Sequence, residues 1–373
     1  MFEEVYLKNF KVFSDHHISL ARLTLLSALN GTGKSSVLQV LALLRQSFEA
    51  GFLNEEGWLL NGELIELGVA EDVLHEYFDT PEIMAELRAS ENVSQGWTVQ
   101  YEKSSDVLRY SESSNHGGAI GSLSLFGDWF QYLRADRVNP AVSYKKSYHS
   151  VGRRHFLGAR GEYTAHFLSL FQDHPVPEAL RRRQDEDQAA TPGLLSQVNA
   201  WMQEFSPGVR VAVEDIEKTD FVRLSYAYGA SAGLSSSNSY RPTNVGFGLT
   251  YSLPIVVACL ATPPGGLILL ENPEAHLHPQ GQAAMGRLMA LAAATGVQIV
   301  VETHSDHVLN GIRMAVKSGE LAPEHVAAHY FSRPRGSQAV EMQSPKITRQ
   351  GRLTFWPDGF FDQWEKSLDS LLD

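Results

Sequence analysis

The stretch 23–36, LTLLSALNGTGKSS, constrains the fold more than any other part of the chain. An apolar run enters a loop holding two glycines, a lysine and two serines. Val37, Val40, Leu41, Leu44 and Phe48 then fall at helical spacing and make one apolar face. Strand, glycine loop and helix follow in the order a phosphate cradle requires. Gly31 and Gly33 let backbone N–H groups turn toward phosphate oxygens, and the helix start adds its positive end. In such a loop Lys34 reaches the β- and γ-phosphates of a nucleotide such as ATP, and the Ser35 hydroxyl ligates Mg²⁺. Asn30, Thr32 and Ser36 complete the candidate cofactor-binding set. Ala28 stands where the G-x-x-x-x-G-K-[ST] pattern opens with glycine, and a methyl group is tolerable there at negative φ.

The remaining pattern is that of an α/β protein. Residues 2–26 read as strands, 97–110 alternate like an antiparallel hairpin, and 163–205 read as helical with a polar interruption. Strands are expected at 209–215 and 221–228, followed by a flexible link, GASAGLSSSNS. In the last third strand and helix alternate. LILLENPEAHLHP (267–279) is an apolar strand with carboxylates where it emerges, so Glu271 faces a metal ion directly or through water. IVVETHSDH (299–307) is a second apolar strand, delivering His304 to the same sheet edge. TNVGFGLTYSLP (243–254) sets Asn244, Gly246 and Gly248 at a helix start, a second place for an anion. Each feature has a plainer reading: His304 as a core or capping histidine, Glu274 as a helix cap, the glycines as an ordinary turn.

Bulk properties narrow the function. The net charge of −12 argues against a whole surface shaped for nucleic acid or an anionic membrane. The one cysteine, Cys259, excludes an internal disulfide and a thiolate zinc site. His276, His278, His304 and His307 lack clear metal-ligand spacing. The N-terminal segment is acidic and mixed rather than signal-like, and the apolar run near Pro254 is too short for a bilayer span. The expectation is a cytoplasmic protein with no membrane partner.

Order and spacing together resemble the ABC-type ATPase head of the SMC/RecF/OLD-like group. NFKVFSDHHISLARLTLLSALNGTGKSS is similar to the opening of such heads, and ENPEAHLHP with ETHSDHVLNGIR to their closing half. The end, GRLTFWPDGFFDQWEKSLDSLL, is similar to the tail of a family of bacterial ATPases whose C-terminal domain is uncharacterised. The resemblance implies an α/β P-loop NTPase of ABC-head type, with a largely parallel central sheet, an antiparallel β attachment and a helical insertion. It implies an N-terminal lobe at 1–130, an insertion at 131–208, a C-terminal lobe at 209–335 and a tail at 336–373. It implies a homodimer around ATP, with Asn244, Gly246 and Gly248 contacting γ-phosphate across the dimer and His304 as γ-phosphate sensor. Asn272 stands where such heads often carry the glutamate that activates water, and an amide cannot take that proton. Glu274 is the expected base, with slow turnover.

The segment 131–183 runs against the overall charge. Lys145, Lys146, Arg153, Arg154, Arg181, Arg182 and Arg183 are the nucleic-acid candidates, and the competing reading is ion pairing or a solvated face. Asp185 and Asp187 sit in a charged loop rather than at a strand end, so no nuclease activity is expected in this chain. A separate effector protein, such as a nuclease, is the expected partner, and the apolar stripe Phe360, Phe361, Trp364, Leu368, Leu371 offers a dock or a core contact. The leading expectation is a Mg²⁺-dependent ATPase in a DNA-maintenance or antiphage defence assembly. The alternative is an ATP-gated scaffold that controls an effector, scarcely hydrolyses and never touches DNA.

Overall fold

The computed structural model describes residues 1–28, 31–89, 93–111, 123–182, 191–229, 238–334, 336–337 and 339–361. The strands are β1 (Phe2–Phe10), β2 (Phe13–Ser19), β3 (Leu23–Ala28), β4 (Gly57–Leu59), β5 (Glu82–Ala89), β6 (Ser94–Gln100), β7 (Val107–Arg109), β8 (Phe130–Leu133), β9 (Tyr144–Lys145), β10 (Val209–Asp215), β11 (Phe221–Tyr228), β12 (Leu267–Glu271), β13 (Gln298–Glu302), β14 (Val326–Ser332) and β15 (Glu341–Gln343). The helices are α1 (Lys34–Glu49), α2 (Phe52–Glu55), α3 (Ala70–Val73), α4 (Thr164–Phe171), α5 (Leu194–Met202), α6 (Phe247–Ala261), α7 (Pro279–Ala294) and α8 (Asp306–Lys317).

Three short strands buried along nearly their whole length make the centre. β3, β12 and β13 read LTLLSA, LILLE and QIVVE, the near-continuous apolar runs of strands covered on both faces. β13 lies between β3 and β12, parallel to both, and β8 extends the sheet beyond β12. On the far side β14 pairs in parallel with β3 and carries β15 as an antiparallel edge, giving the order β15-β14-β3-β13-β12-β8.

Alternate side chains of these strands feed opposite cores, as the two-residue strand period demands. Leu25, Leu270, Ile299 and Val301 meet Leu168 of α4, Trp201 of α5, Ile255 of α6, Leu288 of α7 and Ile312 of α8. Leu26, Leu269 and Val300 meet Leu41 of α1 and the inner faces of the antiparallel sheet β2-β1-β5-β6. α6 is apolar on almost every side and, Tyr251 apart, buried from Leu249 onward, including Cys259. Among the described residues no helix is long and apolar enough to cross a membrane.

The largely parallel sheet with its antiparallel attachment is the expected architecture. The segment 97–110 departs from a simple hairpin. Its first half belongs to β6, paired with β5; its second half is β7, paired with β4, and one bridge, Val99 to Tyr110, links the halves. β8 crosses the boundary expected at 130, so the 131–208 segment begins inside the central sheet. It contributes β9 to the sheet β10-β11-β9 as well as α4 and α5.

α7 and α8, which leave β12 and β13, touch backbone to backbone. A Cβ on Gly286 would lie 2.2 Å from the Val308 carbonyl oxygen, and one on Gly311 2.0 Å from that of Ala283. Gly286→Ala or Gly311→Ala therefore forces the helices apart and is expected to cost about 1–3 kcal/mol or more. Gly127→Ala, which meets only an ordinary 3.5 Å contact, is expected to stay within about 0.5 kcal/mol. Thermal denaturation of the three variants checks the contrast; equal melting temperatures would refute it.

Candidate functional site

The phosphate loop hangs from the carboxyl end of β3. Ala28 is the last residue of that strand, buried and extended, so its methyl group leaves the loop intact. Gly31 and Gly33 adopt positive φ of 77° and 103°, which favours glycine. Gly33 is also pressed against the β1–β2 turn: a Cβ there would sit 2.2 Å from Val12 Cγ2. α1 begins at Lys34 immediately after this turn, with the Ser36 N–H donating to the Gly33 carbonyl at 2.9 Å. Thr32 Oγ1 donates to the Phe331 carbonyl of β14 at 3.3 Å. Lys34 and Ser36 are buried. Asn30 lies outside the described residues.

The loop meets an acidic edge. β12 and β13 end in register, Glu271 opposite Glu302, and β13 is the neighbour of β3. Ser35 Oγ donates to Glu302 Oε1 at 3.0 Å, and Lys34 Nζ lies 3.8 Å from the same oxygen. Both side chains of this ion pair are less than a tenth exposed. Glu302 Oε2 is buried with no hydrogen-bond partner. Burial pushes the Glu302 carboxyl up to about 7, opposed by the Ser35 hydrogen bond and reinforced by Glu271. Burial likewise lowers the Lys34 ammonium, with Glu302 and Glu274 opposing.

The other expected residues collect around this pair. Glu271 turns toward β8, accepting from Tyr132 Oη at 2.5 Å and from the Ala135 N–H at 2.9 Å. Glu274 accepts from Thr303 Oγ1 at 2.7 Å and from the His304 N–H at 2.8 Å. This ties the turn after β12 to the turn after β13. Ser305 extends the tie: its hydroxyl donates to Gln282 of α7 at 2.5 Å and accepts from the Val308 N–H at 3.1 Å, capping α8. The His304 ring is exposed, and partial burial followed by Lys34 lowers its pKa.

Two residues of the site were not singled out by sequence. Glu302 stands two places before His304, at the end of the apolar strand. Its signal is the one that marks Glu271, an acid closing an apolar run. Arg137 was counted only as part of a basic stretch. Arg137 is 1 % exposed, and its guanidinium donates to the carbonyls of Glu271 and Asn272, the latter at 3.2 Å. Asn272 has a positive φ of 45° and donates its N–H to the Glu302 carbonyl at 2.9 Å. Arg137 thus braces a left-handed turn at the acidic edge, where Asn is the non-glycine residue best suited.

Asn244 and Gly246 are exposed at the start of α6. Gly248 lets that start rest on the turn after β12, since a Cβ would lie 2.5 Å from the His276 carbonyl oxygen. The Phe247 and Tyr251 rings flank His276 at 5.8 and 4.8 Å. Within one chain, this segment faces solvent and the turn.

The basic candidates do not form one free surface. Lys146 pairs with Asp215 and donates to the Thr219 carbonyl at 2.9 Å. Arg154 bridges Glu49 and Glu63, Arg181 donates to the Val176 carbonyl, and Arg182 pairs with Glu204 over the Trp201 ring. Lys145 and Arg153 are exposed. Arg183, Asp185, Asp187, Trp364, Leu368 and Leu371 lie outside the described residues. Among the described residues no group of three or more His, Cys, Asp and Glu is arranged to hold a metal by itself. A Mg²⁺ ion in a phosphate cradle needs fewer protein ligands, because phosphates and water supply the rest. Ser35 Oγ, the unpartnered Glu302 oxygen and Glu271 are hard oxygen donors that suit it.

Residues 128–310 match a protein family described as an AAA domain, putative AbiEii toxin, type IV TA system. The match starts after the phosphate loop and spans Glu271, Glu274, Glu302 and His304. Residues 321–371 match a family described as a protein of unknown function, DUF3696. No curated protein matches the chain. Among solved structures the chain is similar to an Smc head bound to the C-winged helix domain of ScpA, at 15% identity and a TM-score of 0.55, over 93% of this chain and 98% of that one. It is also similar to an Smc head domain with an extended coiled coil bound to the C-terminal domain of ScpA, derived from Pyrococcus furiosus, at 12% identity and a TM-score of 0.52, over 100% and 99% of the two chains. At these identities the likeness is one of fold: the chain has an SMC-head-like α/β fold.

The Glu302 environment sets a pH signature. Its folded pKa of about 7 lies above the ordinary carboxylate value. Between those values the folded chain holds a proton that the unfolded chain has released. Stability from this group therefore falls as pH rises through that window and levels off above it. The full effect is on the order of 3 kcal/mol. Relative to wild type, Glu302→Gln is expected to gain melting temperature progressively from about pH 5 to about pH 7.5, by several degrees. A pH-independent difference in calorimetric melting temperature would refute it.

Proposed function

We propose that this chain is a Mg²⁺-dependent ATPase that dimerises around ATP and serves as the regulatory or motor subunit of a bacterial DNA-maintenance or antiphage defence complex. The observation that carries the reading is the meeting of Lys34 and Ser35 with the acidic strand ends at one edge of a parallel sheet. That edge, at the carboxyl ends of the strands, is where such sheets bind ligands. The SMC-head-like fold and the AAA-domain match supply context for the nucleotide.

On this reading the loop N–H groups and the start of α1 hold the phosphates, and Lys34 neutralises the terminal ones. When bound, Mg²⁺ neutralises phosphate charge as it does at other phosphoryl-transfer sites. Asn244 and Gly246, exposed at the start of α6, and the half-buried Gly248 face a second copy and complete its phosphate site. His304 donates to the terminal phosphate, and Glu274 both holds the His304 turn and accepts the proton of the attacking water. Loss of the terminal phosphate removes the contact that joins the copies. A separate effector protein receives the change, and Lys145 and Arg153 are the exposed cations left to meet DNA.

One observation favours a second reading, an ATP-gated scaffold that controls an effector with little hydrolysis. Asn272 occupies the usual place of the base, and both Glu274 oxygens are already engaged. Turnover separates the two. Glu274→Gln is expected to lose about 10²-fold or more in steady-state ATP hydrolysis while keeping nucleotide affinity; hydrolysis at the wild-type rate excludes Glu274 as base. Lys34→Ala is expected to abolish ATP binding and the ATP-dependent dimer seen by sedimentation. Wild-type protein that neither binds Mg·ATP nor changes its association state overturns the reading as a whole.

A further inference from the structure

We infer that Tyr132 is a positioning residue for the metal site, its buried hydroxyl holding the Glu271 carboxylate in place as the acid that faces Mg²⁺. The inference rests on the nucleotide-binding reading above. Strand register brings the pair together. β8 and β12 run parallel, with Tyr132 opposite Leu269. Side chains two apart on a strand share a face, so Glu271 projects on the side that carries Leu269. Leu269 and Tyr132 both lie in the core that contains Val37 and Leu41 of α1. Glu271 thus leaves the sheet on the face of α1, diagonal to Tyr132, a separation that an aromatic side chain spans.

Three groups from β8 and the chain leaving it then grip this one residue. Tyr132 Oη donates to Glu271 Oε1 at 2.5 Å, the Ala135 N–H donates to Oε2 at 2.9 Å, and Arg137 donates to the backbone carbonyl. A carboxylate offers about four lone-pair sites on its two oxygens, so each oxygen still has one for a cation. Burial, then the Glu271 charge, pushes the Tyr132 phenol well above its ordinary value, and the hydroxyl stays a proton donor. A glutamate side chain left free loses rotamer freedom when a metal fixes it, and here Glu302 stands opposite and repels it. A charge-assisted bond from Tyr132 fixes the carboxylate when the chain folds, before the metal arrives. Hydrogen-bond partners of this kind orient metal-ligating carboxylates.

The experiment measures the dissociation constant of ADP in MgCl₂ and in chelator for wild type, Tyr132→Phe, Glu271→Gln and the double variant. ADP lacks the terminal phosphate proposed to join two copies, so neither pairing nor hydrolysis enters. The readout is the ratio of the two constants, which is the tightening due to Mg²⁺. Tyr132→Phe keeps the ring and the carboxylate and removes only the hydroxyl. It is expected to cut the ratio by about tenfold or more, with the constant in chelator within about threefold of wild type. In the Glu271→Gln background the same change is expected to alter the ratio by no more than about twofold, because the group it acts through is gone. A ratio that Tyr132→Phe keeps within about threefold of wild type overturns the inference. So do equal losses from Tyr132→Phe in both backgrounds, or binding in chelator weakened as much as binding in Mg²⁺, either of which marks a general packing role. Each of these results leaves nucleotide binding by wild type intact. Wild type that binds ADP in neither condition overturns the underlying reading instead.

Discussion

The placement of one buried ammonium organises the site. Lys34 emerges from a turn that only glycine permits at Gly33, and its side chain lies less than a tenth exposed beside Glu302. A lone buried ammonium is disfavoured by several kcal/mol, and the Glu302 carboxylate of β13 supplies its counter-charge. That pairing needs an acid-ended strand beside β3 in the sheet, and β13 is that strand. The apolar residues of the strand fix the register, and the register brings Glu302 to the loop.

The register also creates a conflict. Glu271 and Glu302 end neighbouring parallel strands directly opposite one another, and like charges so placed repel. The fold resolves this by turning them apart: Glu271 is drawn to Tyr132 and the Ala135 N–H, and Glu302 to Ser35 and Lys34. Arg137 stabilises the division from below, its buried guanidinium donating to the carbonyls of the turn that separates Glu271 from Glu274. The short-range consequence is the left-handed Asn272. An amide at that position therefore has a structural reason as well as a chemical consequence.

Local features were legible in the sequence; those needing a distant partner were not. The phosphate loop, the strands of the last third and the start of α6 are written in contiguous residues, and β10 and β11 coincide with the expected 209–215 and 221–228. The basic stretch misled because a run of arginines does not reveal its carboxylates. Glu49, Glu63, Glu204 and Asp215 come from other parts of the chain. Arg137 sat in that same run, yet its partners are backbone carbonyls at 271 and 272, invisible to any count of charges. The 97–110 segment failed for a related reason: β7 finds its partner in β4, far earlier in the chain.

Two features of this edge bear on the proposed pairing. One is the buried Glu302 oxygen, and the other is the exposed start of α6, where Asn244, Gly246 and the half-exposed Phe247 face solvent. A helix start and a buried carboxylate oxygen are complementary to the same kind of ligand, an anion carrying a divalent metal. In the proposed dimer Glu302 lies in the copy that holds the loop, and the helix start of the other copy faces it. On the proposed reading, a single metal–nucleotide satisfies both at once, and neither surface is complete without it. Association and nucleotide occupancy are then one equilibrium, set by electrostatics rather than by an apolar interface. For a chain with a net charge of −12, whose copies repel one another, that is the physically consistent way to make pairing conditional.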